Sequence, residues 1–138
     1  MLVGIVALTL CSCSGKPEFS KARYPVKGEV FVDGEPAALL SVTLNDVKGF
    51  DEQAPAIPQA VTKQDGTFAI STFEADDGAP AGEYKATFVW GSPQGLSIDT
   101  SVDKLKGKYS DPEKSEYKVT VVEGEPTDMG RIELTTKK

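Results

Sequence analysis

Residues 83–90 read Glu83-Tyr84-Lys85-Ala86-Thr87-Phe88-Val89-Trp90. Tyr84, Ala86, Phe88 and Trp90 share one parity, while Glu83, Lys85, Thr87 and Val89 share the other. Successive side chains of an extended chain leave opposite faces, so this stretch is a strand with one apolar and one mostly polar face. The same period recurs on both sides of it. Upstream, Val26, Val30 and Val32 share a parity around Gly28. Leu40, Val42 and Leu44 alternate with Ser41, Thr43 and Asn45, and Phe68 and Ile70 with Thr67, Ala69 and Ser71. Downstream, Tyr117, Val119 and Val121 alternate with Lys118 and Thr120, and Ile132 and Leu134 with Arg131, Glu133 and Thr135. A weaker strand fits Gln59 to Thr62, which makes seven. One-sided strands need a second sheet to cover them. The expected fold is therefore all-β, a seven-stranded antiparallel β-sandwich, prealbumin-like or Ig-like in architecture. Its core is expected from Val30, Leu44, Phe68, Ile70, Tyr84, Phe88, Val119, Val121 and Leu134.

Turn chemistry agrees with this reading. Asp33-Gly34 and Asp65-Gly66 are Asp-Gly hairpin signals between strands. Ser101 to Lys108 offers one or two helical turns at most. The stretch from Gly91 to Ser115 has no period and reads as a long crossover, with Leu105 and Tyr109 packing back on the sheet. Gly and Pro together number 22 (13 and 9) in 138 residues, which favours short strands over long helices. Hydrophobic residues at 39% and charged residues at 26% describe a folded globular chain. There is no histidine, which removes His-activated nucleophiles, His-ligated metals and a His pH switch. The net charge of −6 argues against nucleic acid as a partner.

Three pieces in order carry a family resemblance. Val26-Lys27-Gly28-Glu29-Val30 leads to Asp33-Gly34-Glu35-Pro36-Ala37 and Val42-Thr43-Leu44; Thr62-Lys63-Gln64-Asp65-Gly66-Thr67-Phe68 follows; then Ala79-Pro80-Ala81-Gly82-Glu83-Tyr84. Together they resemble a carboxypeptidase regulatory-like (transthyretin-like) domain over nearly all of residues 24–136, of the kind found in small bacterial surface lipoproteins. The resemblance implies a prealbumin-like sandwich without catalytic residues of its own.

The amino terminus reads as an export address. Leu2 to Leu10 is an uncharged run of nine residues, about 14 Å as a helix, too short to span a bilayer but the length of a signal h-region. Leu10-Cys11-Ser12-Cys13 resembles a bacterial lipobox. Cys13 is the expected lipidated residue, because Ser12 before it is small whereas Leu10 before Cys11 is bulky. No Lys or Arg precedes the run, so translation is expected to start upstream of Met1. The expected organisation is a lipoprotein signal peptide at 1–12, a flexible tether at 13–23, and the sandwich domain at 24–138. The protein is expected to be exported and lipid-anchored at the bacterial cell envelope through the acylated cysteine. An envelope protein or a glycan is its expected further partner.

Chemistry is sparse. Glu74, Asp76 and Asp77 cluster acid oxygens before Gly78, but the spacing fails the calcium-loop pattern, since position twelve from Glu74 is Lys85. Neither a metal, a cofactor nor a catalytic residue is expected. Asp33 and Asp65 precede glycines, where turn geometry explains them. The aromatic residues that could meet a glycan or protein partner are Tyr109, Phe50 and Trp90, with Phe73 beside them; Trp90 shares parity with Tyr84 and Phe88 and is expected to cap the core. The expected function is a non-enzymatic binding or structural module, with a carbohydrate-binding module of the same fold as the alternative.

Overall fold

In the computed structural model the described residues are 21–50, 52 and 56–137. They hold ten strands and no helix: β1 (Val26–Val32), β2 (Glu35–Pro36), β3 (Leu40–Asp46), β4 (Gln59–Val61), β5 (Thr67–Ala69), β6 (Gly82–Trp90), β7 (Ser92–Gln94), β8 (Ser97–Asp99), β9 (Lys118–Val121) and β10 (Thr127–Leu134). One sheet runs β10-β1-β2, with β5 also on β1; the other runs β4-β3-β6-β9; β7 and β8 form a separate hairpin. The first two sheets contribute their apolar faces to one core. Val30, Phe68, Ile70, Ile132 and Leu134 come from one side, and Leu40, Val42, Leu44, Tyr84, Phe88, Val119 and Val121 from the other. All nine core residues expected from parity are buried.

The strand that decides the fold sits at the centre of its sheet. β6 pairs along β3 from Leu40↔Trp90 to Asp46↔Tyr84 and along β9 from Gly82↔Val121 to Lys85↔Lys118, antiparallel in both cases. Gly28 lies on the core parity of β1 without a side chain. A Cβ there would stand 2.8 Å from Cζ of Phe68, so the Phe68 ring occupies the space that Gly28 leaves.

Two expectations need correction. The sheets are not wholly antiparallel: β1 and β10 pair in parallel, Val30 opposite Ile132 and Val32 opposite Leu134. Alternation specifies which face a residue takes, not the direction of the neighbouring strand. Among the described residues there are ten strands where seven are expected, partly because β7 and β8 lie inside the stretch read as a long crossover without a period. Their three-residue arms are too short to show a period. The segment Ser101 to Lys108, read as one or two helical turns at most, forms successive turns. Asp103 organises them: its Oδ1 accepts from the N–H groups of Trp90 and Leu105 and its Oδ2 from that of Gly107. These bonds press Leu105, 2% exposed, into the core.

The two Asp-Gly turns behave differently. Asp33 and Gly34 both take positive φ, 52° and 85°, the backbone of a tight two-residue hairpin between β1 and β2. The turn at Asp65-Gly66 closes with Lys63 N–H donating to the Thr67 carbonyl at 2.8 Å. Its arms bond each other again at Gln59 and Ser71, yet β4 joins β3 and β5 joins β1. This hairpin therefore stitches the two sheets together at a corner.

Candidate functional site

At the β3 end that carries Asp46, a cavity of about 230 Å³ opens between three segments. Its walls include Leu44, Phe50, Ile57, Pro58, Pro80 and Tyr84, with Lys21 at the rim. Local chemistry builds each wall. Asp46 Oδ1 accepts from Lys48 N–H at 2.8 Å, and Gly49 N–H donates to the Asp46 carbonyl, so β3 ends in a tight turn. That turn carries Phe50 out to 64% exposure. The returning chain is held by Leu44 N–H donating to the Pro58 carbonyl at 2.9 Å, which leaves Ile57 half-exposed. The floor is Tyr84, whose hydroxyl donates to the Pro80 carbonyl at 2.8 Å. Burial, helped by the charge of Asp46, pushes the Tyr84 hydroxyl up to about 12, so it stays a neutral donor. At about 230 Å³ the cavity falls below the roughly 300 Å³ of ordinary small-molecule sites. Its apolar walls suit an apolar side chain or a short acyl segment.

The residues singled out from the sequence lie apart. Phe50 lines this cavity. Trp90 lies six residues along β6 from Tyr84, about 20 Å away at strand rise. Its indole N–H donates to the Ala38 carbonyl at 2.9 Å, and Lys104 Nζ stands 4.8 Å from its ring centroid. Both the polar handle and one face of the ring are thus engaged within the chain.

Tyr109 packs edge-on against Phe88 (6.5 Å) and Tyr117 (6.2 Å), and its hydroxyl accepts from Thr135 N–H. Beside it lies a hollow of about 360 Å³ lined by Lys108, Asp111, Lys114, Glu116 and Tyr117. Burial, then the neighbouring Tyr109 and Glu116, raises the Tyr117 hydroxyl above its ordinary value. Phe73 sits under the Arg23 guanidinium at 4.9 Å. Cys13 lies outside the described residues. The structure thus places Phe50 at the Asp46 end of β3, while Tyr109, whose carbonyl accepts from Phe88 N–H, and Trp90, two residues further along β6, lie toward the other end.

The acidic residues are turn builders. Asp77 accepts from the N–H groups of Thr72, Phe73 and Glu74 and from Arg23 Nε at 2.9 Å. Burial works against its charge, but the backbone donors and Arg23 outweigh it and hold the carboxyl below the usual range. Arg23, which the sequence places in the tether, is in this way fastened to the domain. Asp33 does more than shape its own turn: it accepts from the hydroxyls of Thr135 and Thr136 and from Thr136 N–H, which lowers its pKa and ties the residues after β10 to the β1–β2 hairpin. Thr67 and Ser101 lower Asp65 and Asp99 in the same manner. Among the described residues no three His, Cys, Asp or Glu side chains come together as a metal-binding group.

Sequence reasoning missed Ile57 and Lys21 as site residues. Ile57 belongs to no alternating run and Lys21 to a polar stretch, so only the return of the chain past Leu44 shows where they meet.

No family model matches the chain, and no curated protein matches it. Among solved structures, a DUF3823 family protein from Bacteroides ovatus is similar at 13% identity and a TM-score of 0.40. The match covers 82% of this chain and 43% of that one. A DUF3823 family protein from Parabacteroides merdae is similar at 17% identity and a TM-score of 0.39, covering 84% of this chain and 45% of that one. The chain thus spans less than half the length of either of these structures.

Proposed function

We propose that this protein is a non-enzymatic β-sandwich of the carboxypeptidase regulatory-like type, lipid-anchored through Cys13 at the bacterial cell envelope, where it serves as a binding or structural module. The observation that carries the binding part is the apolar cavity rimmed by Phe50 and Ile57, which opens beside Lys21. Its exposed apolar rim contrasts with the described carboxylates whose pKa values are lowered, all of which are occupied by hydrogen-bond donors of the chain itself. The lipobox-like run ending at Cys13 supports the anchor. A diacylated cysteine buries two chains at about 0.8 kcal/mol per CH₂, enough for stable attachment. Labelling cells with a radioactive fatty acid, from a gene with a functional start, tests it. Label should be lost in Cys13→Ala and kept in Cys11→Ala; the reverse moves the anchor, and an unlabelled wild type removes it.

A second reading has its own observation. The hollow beside Tyr109 and Tyr117, with Lys108 Nζ 5.4 Å from the Tyr109 ring, joins aromatic and polar groups as a sugar site does. Saturable glycan binding lost in Tyr109→Ala but kept in Phe50→Ala would favour it.

A further inference from the structure

Three exposed apolar side chains cluster at one end of the domain. Val47, Phe50 and Ile57, exposed by 50%, 64% and 49%, all lie at the Asp46 end of β3, and the last two share one cavity. Lys21 borders the same cavity, and Tyr24 pairs with Ala79 just before the Pro80 and Ala81 that line it. The chain thus enters the domain at the end that carries Val47, Phe50 and Ile57, whereas Leu96 and Val102, exposed by 110% and 67%, lie beyond the other end of β6. The opposite end, where β6 finishes at Trp90, leads into the β7–β8 hairpin with Leu96 at its tip.

Cys13 is eight residues from Lys21. Eight residues reach at most about 28 Å, and about 16 Å r.m.s. as a flexible chain. An acyl group on Cys13 therefore keeps the Phe50 end within that distance of the lipid surface. Exposed apolar patches mark docking surfaces, and shallow insertion scales with the apolar area buried.

We infer that Phe50 and Ile57, flanked by Val47, form a membrane-contacting tip that seats the domain on the lipid surface with the β7–β8 hairpin pointing away. The occupant is the headgroup–acyl boundary of the bilayer that holds the anchor. The inference rests on the lipid anchor at Cys13 proposed above. Lys21, Lys48, Asp46 and Glu83 line the adjoining hollow with both signs of charge. Apolar insertion, not net charge, is then the attraction, and a zwitterionic bilayer suffices.

The test uses the lipidated protein reconstituted into phosphatidylcholine vesicles. Cys11 leaves with the signal and Cys13 is acylated, so Ile57→Cys supplies the one free thiol for an environment-sensitive fluorophore. Phe50→Cys is a second site at the tip, and Leu96→Cys reports the far end. With bromine on the lipid acyl chains, the labels on Ile57→Cys and Phe50→Cys should shift to the blue and lose most of their emission. The label on Leu96→Cys should keep the emission it has in water.

Vesicles that float with the protein while the tip labels stay water-like overturn the tip and leave the anchor standing. A blue shift without bromine quenching means that protein, such as a second copy, covers the patch; that also overturns it. Protein that fails to float overturns the anchor itself and the tip with it.

Discussion

Phe88 shows how much one side chain carries. It is fully buried, edge-on to Tyr117 at 5.2 Å and to Tyr109 at 6.5 Å, on the strand central to its sheet. Phe88→Ala removes the ring from between the sheets and should cost about 3–5 kcal/mol, read as a lower denaturant midpoint at unchanged slope. An unchanged midpoint would mean that its parity is misassigned. Asp77 acts through polarity instead. Asp77→Ala strands the N–H groups of Thr72, Phe73 and Glu74 and frees Arg23, and should cost about 1–3 kcal/mol. The folded carboxyl is held below its unfolded value near 3.9. Its contribution is therefore complete above that pH and fades as pH falls through the lower, folded value. Between pH 5 and pH 2 the wild type should lose stability more steeply than Asp77→Asn does, which acid titration of the unfolding free energy will show.

The turns make the next scale testable. Gly34 and Gly66 both take positive φ, 85° and 82°, and both follow an aspartate. A Cβ on Gly34 would meet nothing within 4 Å, so Gly34→Ala should cost only the backbone strain, about 1–2 kcal/mol. On Gly66 it would stand 2.6 Å from the Val30 carbonyl oxygen, which accepts from Ala37. Gly66→Ala must therefore displace β1 as well, and its melting temperature should fall well below that of Gly34→Ala. Equal losses would refute the corner role given to this turn. Here the sequence was half legible. Asp-Gly announced both turns, yet nothing local to residues 59–71 shows that the two arms serve different sheets. That outcome depends on β3 and β1 as competing partners far along the chain.

At the scale of the whole molecule, eighteen buried hydrophobic residues among those described, from both sheets and from the loops at Ala37, Ala79 and Leu105, form one core. Buried Thr62 joins it without loss, donating to the Ala37 carbonyl and accepting from Leu40 N–H. A core of this kind needs no staple. Neither EDTA nor a reductant should change the melting temperature in calorimetry; a fall of several degrees with EDTA would point to the Glu74–Asp77 turn. Strand parity was legible because burial on one face imposes a period of two on any strand, whichever partner it takes. So were the tight turns, since only a few residues accept positive φ, and so were nine residues of the core. Direction and neighbourhood were not. The parallel pairing of β1 with β10, the Asp33 bonds to Thr135 and Thr136, and the meeting of Lys21, Phe50 and Ile57 join positions far apart in sequence. A period of two carries no information about which distant strand lies alongside or which way it runs. Those choices were made only when the two apolar faces closed on each other, because closure alone determines which loops share an end.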